Sequence, residues 1–295
     1  MPASILNGVI MHMWGAKIAQ MENLILKVNC VGMETLAYSI RTQFYCKIIG
    51  VLHFSHQWIL DGKPNRRHNP FFNMDYVISV FAGGLQYLRD INCRRPVSVI
   101  LNGIEPPKIG SRPRDDVFRF IFPNGWAKRK GLVKILPAFE KVAQKHNIEV
   151  LILGGTETGI NPDELLRGLP VRWLGLIEEE TEVAKYYDMS DCVLFASLSE
   201  ACSIAGIEAM SRNMPIISTN CEGLAEMFGD AALYAKMGAD YSIDPDEYAA
   251  HMCSIIENKR LRNKLSVMAY SRYLARYTAK KMCNETLALY KKLVA

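Results

Sequence analysis

The chain reads as an α/β protein of parallel sheets covered by helices, and three observations lead there. Short apolar runs rich in Val, Ile and Phe recur along it, stretches of helical period separate them, and Gly- or Pro-containing turns close each unit. Continuous apolar runs belong to strands buried on both faces. Right-handed crossovers then bring the C-terminal ends of such strands to one edge, where ligands of open α/β sheets bind. At 295 residues the chain can hold two such domains.

The first third offers three strands: GVIMH (8–12, the weakest), CKIIGVLHF (46–54) and DYVISV (75–80). Between the first two, ENLILKVNCVGMETLAYSIRTQF has the spacing of a helix. VSVILNGIEPPKIGSRPRDD (97–116) is a strand running into a Pro-, Gly- and charge-rich connector, the best domain boundary. Beyond it strand and helix alternate. FRFIFPNG precedes GLVKILPAFEKVAQKH, IEVLILGG precedes DELLRGL, and VRWLGLI precedes EEETEVAKYYDMS. DCVLFASLSE then runs into SIAGIEAMSRN, MPIISTN into GLAEMFGD, and the rest from DPDEY onward is helical. No internal repeat is evident. The expected domains are 1–105, 106–278 and a C-terminal helix, 279–295, packing back toward the first.

Composition narrows the class. The chain is 49% hydrophobic and 22% charged, as in soluble globular proteins, and its apolar runs are far shorter than a membrane span. The uncharged start MPASILNGVIMHMWGA lacks a basic n-region, and Asn7 and His12 interrupt it, so it is not read as a leader. Eight cysteines without a C-x-x-C pair fit reduced thiols and a cytoplasmic protein. The net charge of +5 is concentrated early, with ten Lys/Arg against six Asp/Glu in residues 1–105 and a knot at KPNRRH (63–68). A solvated loop accounts for that knot; its sharper reading is peripheral contact with an anionic membrane, at the inner face, or an acidic acceptor. No aromatic-interleaved basic stripe supports nucleic acid binding.

The functional signal is SLSEACSIAGIEAMSRNMP, with Glu200 at the end of a central strand and Glu208 eight residues on. Ser203 is placed to cap the helix between them, so its free N–H groups face the ligand crevice and favour an anion such as phosphate. A carboxylate there can accept two hydrogen bonds from the adjacent hydroxyls of a ribose or hexose. The bland alternative is two glutamates offsetting a helix dipole.

The wider sequence resembles the retaining GT-B glycosyltransferases, family 4 (glycosyl transferases group 1). E-x7-E followed by AM and PIISTN is similar to that family's signature, and the resemblance extends in order through NGIEPP, PNGWAKRKGLVKILPAF, EVLILGG, VRWLGLIEEETEVAKYYDMSDCVLFASLSE, GLAEMFGDAALY and ARYTAKKMCNETLALYKKL. It covers roughly residues 97–295. The resemblance implies a GT-B fold, two Rossmann-like doubly wound domains facing a cleft, with the N-terminal one incomplete. It also implies hexosyl transfer from a nucleotide sugar, UDP- or GDP-linked, to a saccharide or lipid-linked acceptor of polysaccharide biosynthesis, with retention and without metal or further cofactor.

By the same resemblance, Lys130 neutralises the donor diphosphate, Glu208 holds the ribose diol, and Glu200 contacts the donor sugar. Backbone groups of Cys202, Ser203 and Ile204 approach phosphate or sugar, Gly175 and Leu176 fall at the nucleobase pocket, and His53 faces the sugar from the N-terminal domain. A lone histidine at a strand end is as often a core residue, and a metal pair of His53 with His56 lacks a third ligand.

Three departures stand out. Gly125 occupies the place of the family's second diphosphate ligand, an arginine, with Lys128 or Arg129 as nearby substitutes; Ala201-Cys202-Ser203 replaces G-F-G; and GVIMHMW resembles a mid-domain strand, so the first third is short. The short start leaves a second reading open: a non-catalytic glycosyltransferase-like subunit that binds nucleotide sugar or a partner protein completing the N-terminal domain. An epimerase of the same architecture is a weaker rival, and a nicotinamide enzyme weaker still, since GGTETG does not meet G-x-G-x-x-G.

Overall fold

The computed structural model describes residues 25–28, 47–53, 71, 74–110 and 115–294. GVIMH, KPNRRH and His56 lie outside them. Two compact units make up the chain: Met1–Leu101 with Lys281–Ala295, and Asn102–Lys280.

The first unit holds a parallel sheet in the order β1 (Ile25–Val28), β2 (Lys47–Leu52), β3 (Tyr76–Ser79), β4 (Val97–Val99), with α1 (Gly84–Asp90) between the last two. β2 and β3 are the apolar runs read as buried strands, and Ile48, Ile49 and Val77 are fully buried. The helix expected over 22–44 is corrected at its start. Ile25–Val28 pairs in parallel register with Lys47–Gly50. Four residues cannot separate a period of 3.6 from one of 2, and pairing with a buried neighbour decides. The rest of that stretch lies outside the described residues.

The second unit follows the predicted rhythm. Its parallel sheet runs β10 (Ala232–Ala235), β9 (Ile216–Thr219), β8 (Cys192–Leu194), β5 (Phe118–Phe122), β6 (Ile148–Ile152), β7 (Val171–Trp173). The helices are α2 (Leu132–Ala143), α3 (Pro162–Leu165), α4 (Glu180–Asp188), α5 (Ile204–Ser211), α6 (Glu222–Phe228), α7 (Pro245–Glu257) and α8 (Lys259–Arg276); α9 (Ala279–Val294) follows. From β5 the chain steps outward to β6 and β7, then returns to the other side of β5 with β8 and steps away through β9 and β10. That is the doubly wound order, and its switch point lies between β5 and β8.

Burial follows from pattern. Leu132, Ile135, Leu136, Phe139 and Val142 of α2 recur at helical spacing and pack with Phe120, Phe122, Val150 and Ile152 of the sheet. Each such side chain contributes about 1.5–3 kcal/mol when fully buried. Caps fix the ends: Asp244 accepts from the Asp246 N–H (2.8 Å) and Asn258 from the Leu261 N–H (2.9 Å). Where the unit begins and ends, the chain is tied to itself. Ile104 N–H donates to Tyr277 O (3.1 Å), Ala279 N–H to Ile104 O (2.8 Å), and the Tyr273 hydroxyl also reaches Ile104 O (3.2 Å).

Two glycines shape the β5 loop. Gly125 (φ +63°) lies against Gly154, and an added Cβ would come 2.6 Å from Gly155 O. Gly131 (φ +70°) closes the 3-10 turn Lys128–Lys130, and a Cβ there would come 2.0 Å from Ala196 O. Gly131→Ala is expected to lower the unfolding free energy by roughly 2–4 kcal/mol, through strain and a backbone clash. Denaturant melts of the two proteins check this; an unchanged midpoint would mean the β5 and β8 loops are not packed as described.

Candidate functional site

The switch point places the β5 loop (123–130) beside the β8 loop (195–203). Leu198 N–H donates to Arg129 O (2.8 Å), tying the two backbones together. Lys130 and Glu200 meet across this tie. Lys130 Nζ is 2.8 Å from Glu200 Oε2, and the two side chains are only 9% and 13% exposed. Arg129 Nη1 stands 3.5 Å from the same oxygen but is half exposed. Burial lowers the Lys130 ammonium's pKa from the usual lysine range, against an opposing pull from Glu200. A desolvated ammonium with one carboxylate partner is poised for a second anion.

The β8 loop is held from two sides. Asn102 Nδ2 donates to Cys202 O (3.2 Å), and Ser203 Oγ accepts from Gly206 N–H (3.2 Å), capping α5 as expected. Among the described residues, the buried side-chain atoms without a hydrogen-bond partner are Asn124 Nδ2 and Trp126 Nε1 in the β5 loop and Ser197 Oγ in the β8 loop.

Glu208 lies four residues into α5, in a different setting. It helps line an open cavity of about 620 Å³, with the 104–108 segment, Ile177 and Glu178, and Tyr187 of α4. Tyr187 donates its hydroxyl to Glu208 Oε2 (3.1 Å). Arg212, one turn on, lies over the Tyr187 ring at 5.5 Å and pairs with Asp188 Oδ1 at 2.5 Å. Burial raises the pKa of Glu208, while Tyr187 and Arg212 work to lower it.

The predicted residues thus form two groups. Lys130, Arg129 and Glu200 converge; Glu208 belongs to the cavity, whose lining includes Ile204 but not Lys130 or Glu200. Gly175 O accepts from Gly154 N–H (2.7 Å), and Leu176, 72% exposed, precedes Ile177 of the cavity wall. Gly125 lies in the β5 loop, its backbone packed against Gly154 and Gly155. His53 directly follows β2 in the first unit, its pKa lowered by burial and by Lys27. Burial pushes the Cys202 and Cys221 thiols up to about 12, so neither is a ready nucleophile.

Among the described residues, one set of metal-ligating side chains comes together, His146, Cys253 and Glu257, within 4.8 Å of one another and sharing no residue with either group. No helix among them is long and apolar enough to cross a membrane. Sequence reasoning missed Tyr187, Asp188, Arg212 and Asn102. Only their place inside quoted motifs marked them, and an aromatic before an apolar strand reads first as core.

Residues 108–272 match the model of a family described as glycosyl transferases group 1. An uncharacterized glycosyltransferase of Methanocaldococcus jannaschii is 25% identical over 213 residues, 66% of this chain and 54% of that protein. A second from the same organism is 32% identical over 109 residues, 36% of this chain and 27% of that protein. The chain therefore spans about half the length of the first and less of the second. Among solved structures, HepE of Anabaena with UDP-glucose superposes with a TM-score of 0.82 at 14% identity, over 99% of this chain and 84% of that one. Sucrose-phosphate synthase from Thermosynechococcus elongatus does so at 0.80 and 17% identity, over 99% and 80%. These likenesses show a GT-B fold.

The Lys130 amine is expected to titrate below the usual lysine range, and Glu200→Gln to lower it further by removing the opposing carboxylate. NMR of the lysine side-chain amines across pH reads both; a higher midpoint in Glu200→Gln would refute the pairing.

Proposed function

Because this chain belongs to the glycosyl transferases group 1 family, we propose that it moves a sugar from a UDP- or GDP-linked donor to a saccharide or lipid-linked acceptor, with retention of anomeric configuration. The observation that carries this reading is the pairing of Lys130 with Glu200 at the switch point, beside the capped end of α5.

In this scheme the diphosphate takes the Lys130 ammonium as partner, and the first N–H groups of α5 share its charge. Glu200 then turns to the donor sugar's hydroxyls. The bond from the anomeric carbon to the diphosphate oxygen breaks, and the acceptor oxygen forms its bond on the same face. The acceptor's proton passes to the departing phosphate oxygen. The protein's contribution is electrostatic: fixed positive charge waits where negative charge develops on the leaving group. Glu208 accepts from the ribose diol, a role supported by its place on a cavity wall as a half-buried carboxylate with one hydrogen-bond donor, Tyr187, among the described residues. Gly175 and Leu176 border the base, and the backbone of Cys202, Ser203 and Ile204 approaches phosphate or sugar. The nucleotide sugar is substrate, and no other cofactor enters.

Purified protein given UDP-, GDP- and ADP-sugars should release nucleotide slowly from at least one. Lys130→Ala and Glu208→Ala should each weaken binding of that nucleotide roughly 10- to 100-fold in calorimetry, the scale of a charge-assisted hydrogen bond lost. Glu200→Gln should stop release while nucleotide still binds. Undiminished affinity in the first two variants, or full turnover in the third, would sink the assignment.

A further inference from the structure

Glu208 is a half-buried carboxylate with an unusual partner. Among the described residues its side chain receives one hydrogen bond, from the Tyr187 hydroxyl at 3.1 Å. The nearby cation does not pair with it, since Arg212 is 2.5 Å from Asp188. A carboxylate offers about four acceptor sites, so most of its capacity remains for a ligand. Tyr187 is itself fixed: its ring is 2% exposed and carries the Arg212 guanidinium on one face. Its hydroxyl has a second acceptor within reach, Ala205 O at 3.4 Å, but has one proton, and the shorter, charge-assisted contact to Glu208 takes it. Burial holds the phenol protonated far beyond neutral pH, so it is a permanent donor.

We propose that Tyr187 is a positioning residue for nucleotide recognition: its hydroxyl anchors one oxygen of Glu208 so that the carboxylate's remaining acceptor sites meet the ribose diol. This rests on the nucleotide-binding reading of the cavity. Arg212, just beyond α5, completes the device: Asp188 of α4 holds its guanidinium, which lies over the phenol ring.

The charged groups around Glu208 set the direction of a pH effect. Glu180 of α4 raises its pKa, Tyr187 of α4 and Arg212 beyond α5 lower it, and Glu105, Lys108 and Glu178 line the same cavity. Binding requires the ionised form, so it declines as pH falls through the raised pKa of Glu208. Without the phenol donor that pKa rises further, and the decline begins at higher pH.

The test is calorimetric titration of the full chain with UDP and GDP across pH, for wild type, Tyr187→Phe, Glu208→Gln and the double variant. Tyr187→Phe should weaken the bound nucleotide roughly 10-fold, move the acid limb to higher pH, and raise the donor KM with kcat little changed. In the Glu208→Gln background the same substitution should add nothing. If Glu208→Gln leaves affinity intact, the nucleotide-binding reading itself fails. If Glu208→Gln weakens binding but Tyr187→Phe leaves it and its pH limb unmoved, or weakens it equally in the Glu208→Gln background, the positioning role is overturned while that reading stands.

Discussion

The contact between Lys130 and Glu200 organises the second unit. Opposite charges this sheltered are costly to assemble, because each loses solvation that its partner only partly returns. The chain meets that cost with backbone: Gly131 permits the turn, the Leu198–Arg129 hydrogen bond aligns the loops, and Asn102 steadies Cys202. All three depend on β8 returning beside β5, so the doubly wound order is what lets residues seventy positions apart meet. A sheet laid down in simple succession would not bring these two loops together.

The two glutamates of E-x7-E occupy opposite electrostatic regimes. Glu200 faces a full positive charge, whereas Glu208 faces a neutral phenol and a cation already committed to Asp188. Proteins place paired carboxylates in unlike surroundings when they require unlike behaviour from them.

Much of this was legible in the residues. In the second unit β8 and β9 are buried along their whole length and β5 and β6 along most of theirs, so they stand out as runs, and the Glu200–Glu208 spacing spans the capped start of a helix. Ile25–Val28 was not legible, since its strand character comes from pairing with Lys47–Gly50 rather than from its own pattern. β10 was equally quiet, four small or mixed residues at a sheet edge. Gly125 lies within a motif, and its close backbone contact with Gly154 and Gly155 is visible only in the coordinates. Tyr187 is the sharpest case. Nothing in YYDMS separates a core aromatic from one whose hydroxyl reaches a carboxylate twenty-one residues away.

The knot of hydrogen bonds joining Ile104 to Tyr277, Ala279 and Tyr273 means that polypeptide enters and leaves the second unit through a single clasp. A segment so gathered at its own threshold is a cassette. Its two ends lie side by side, so the span between them could be exchanged without rerouting a strand.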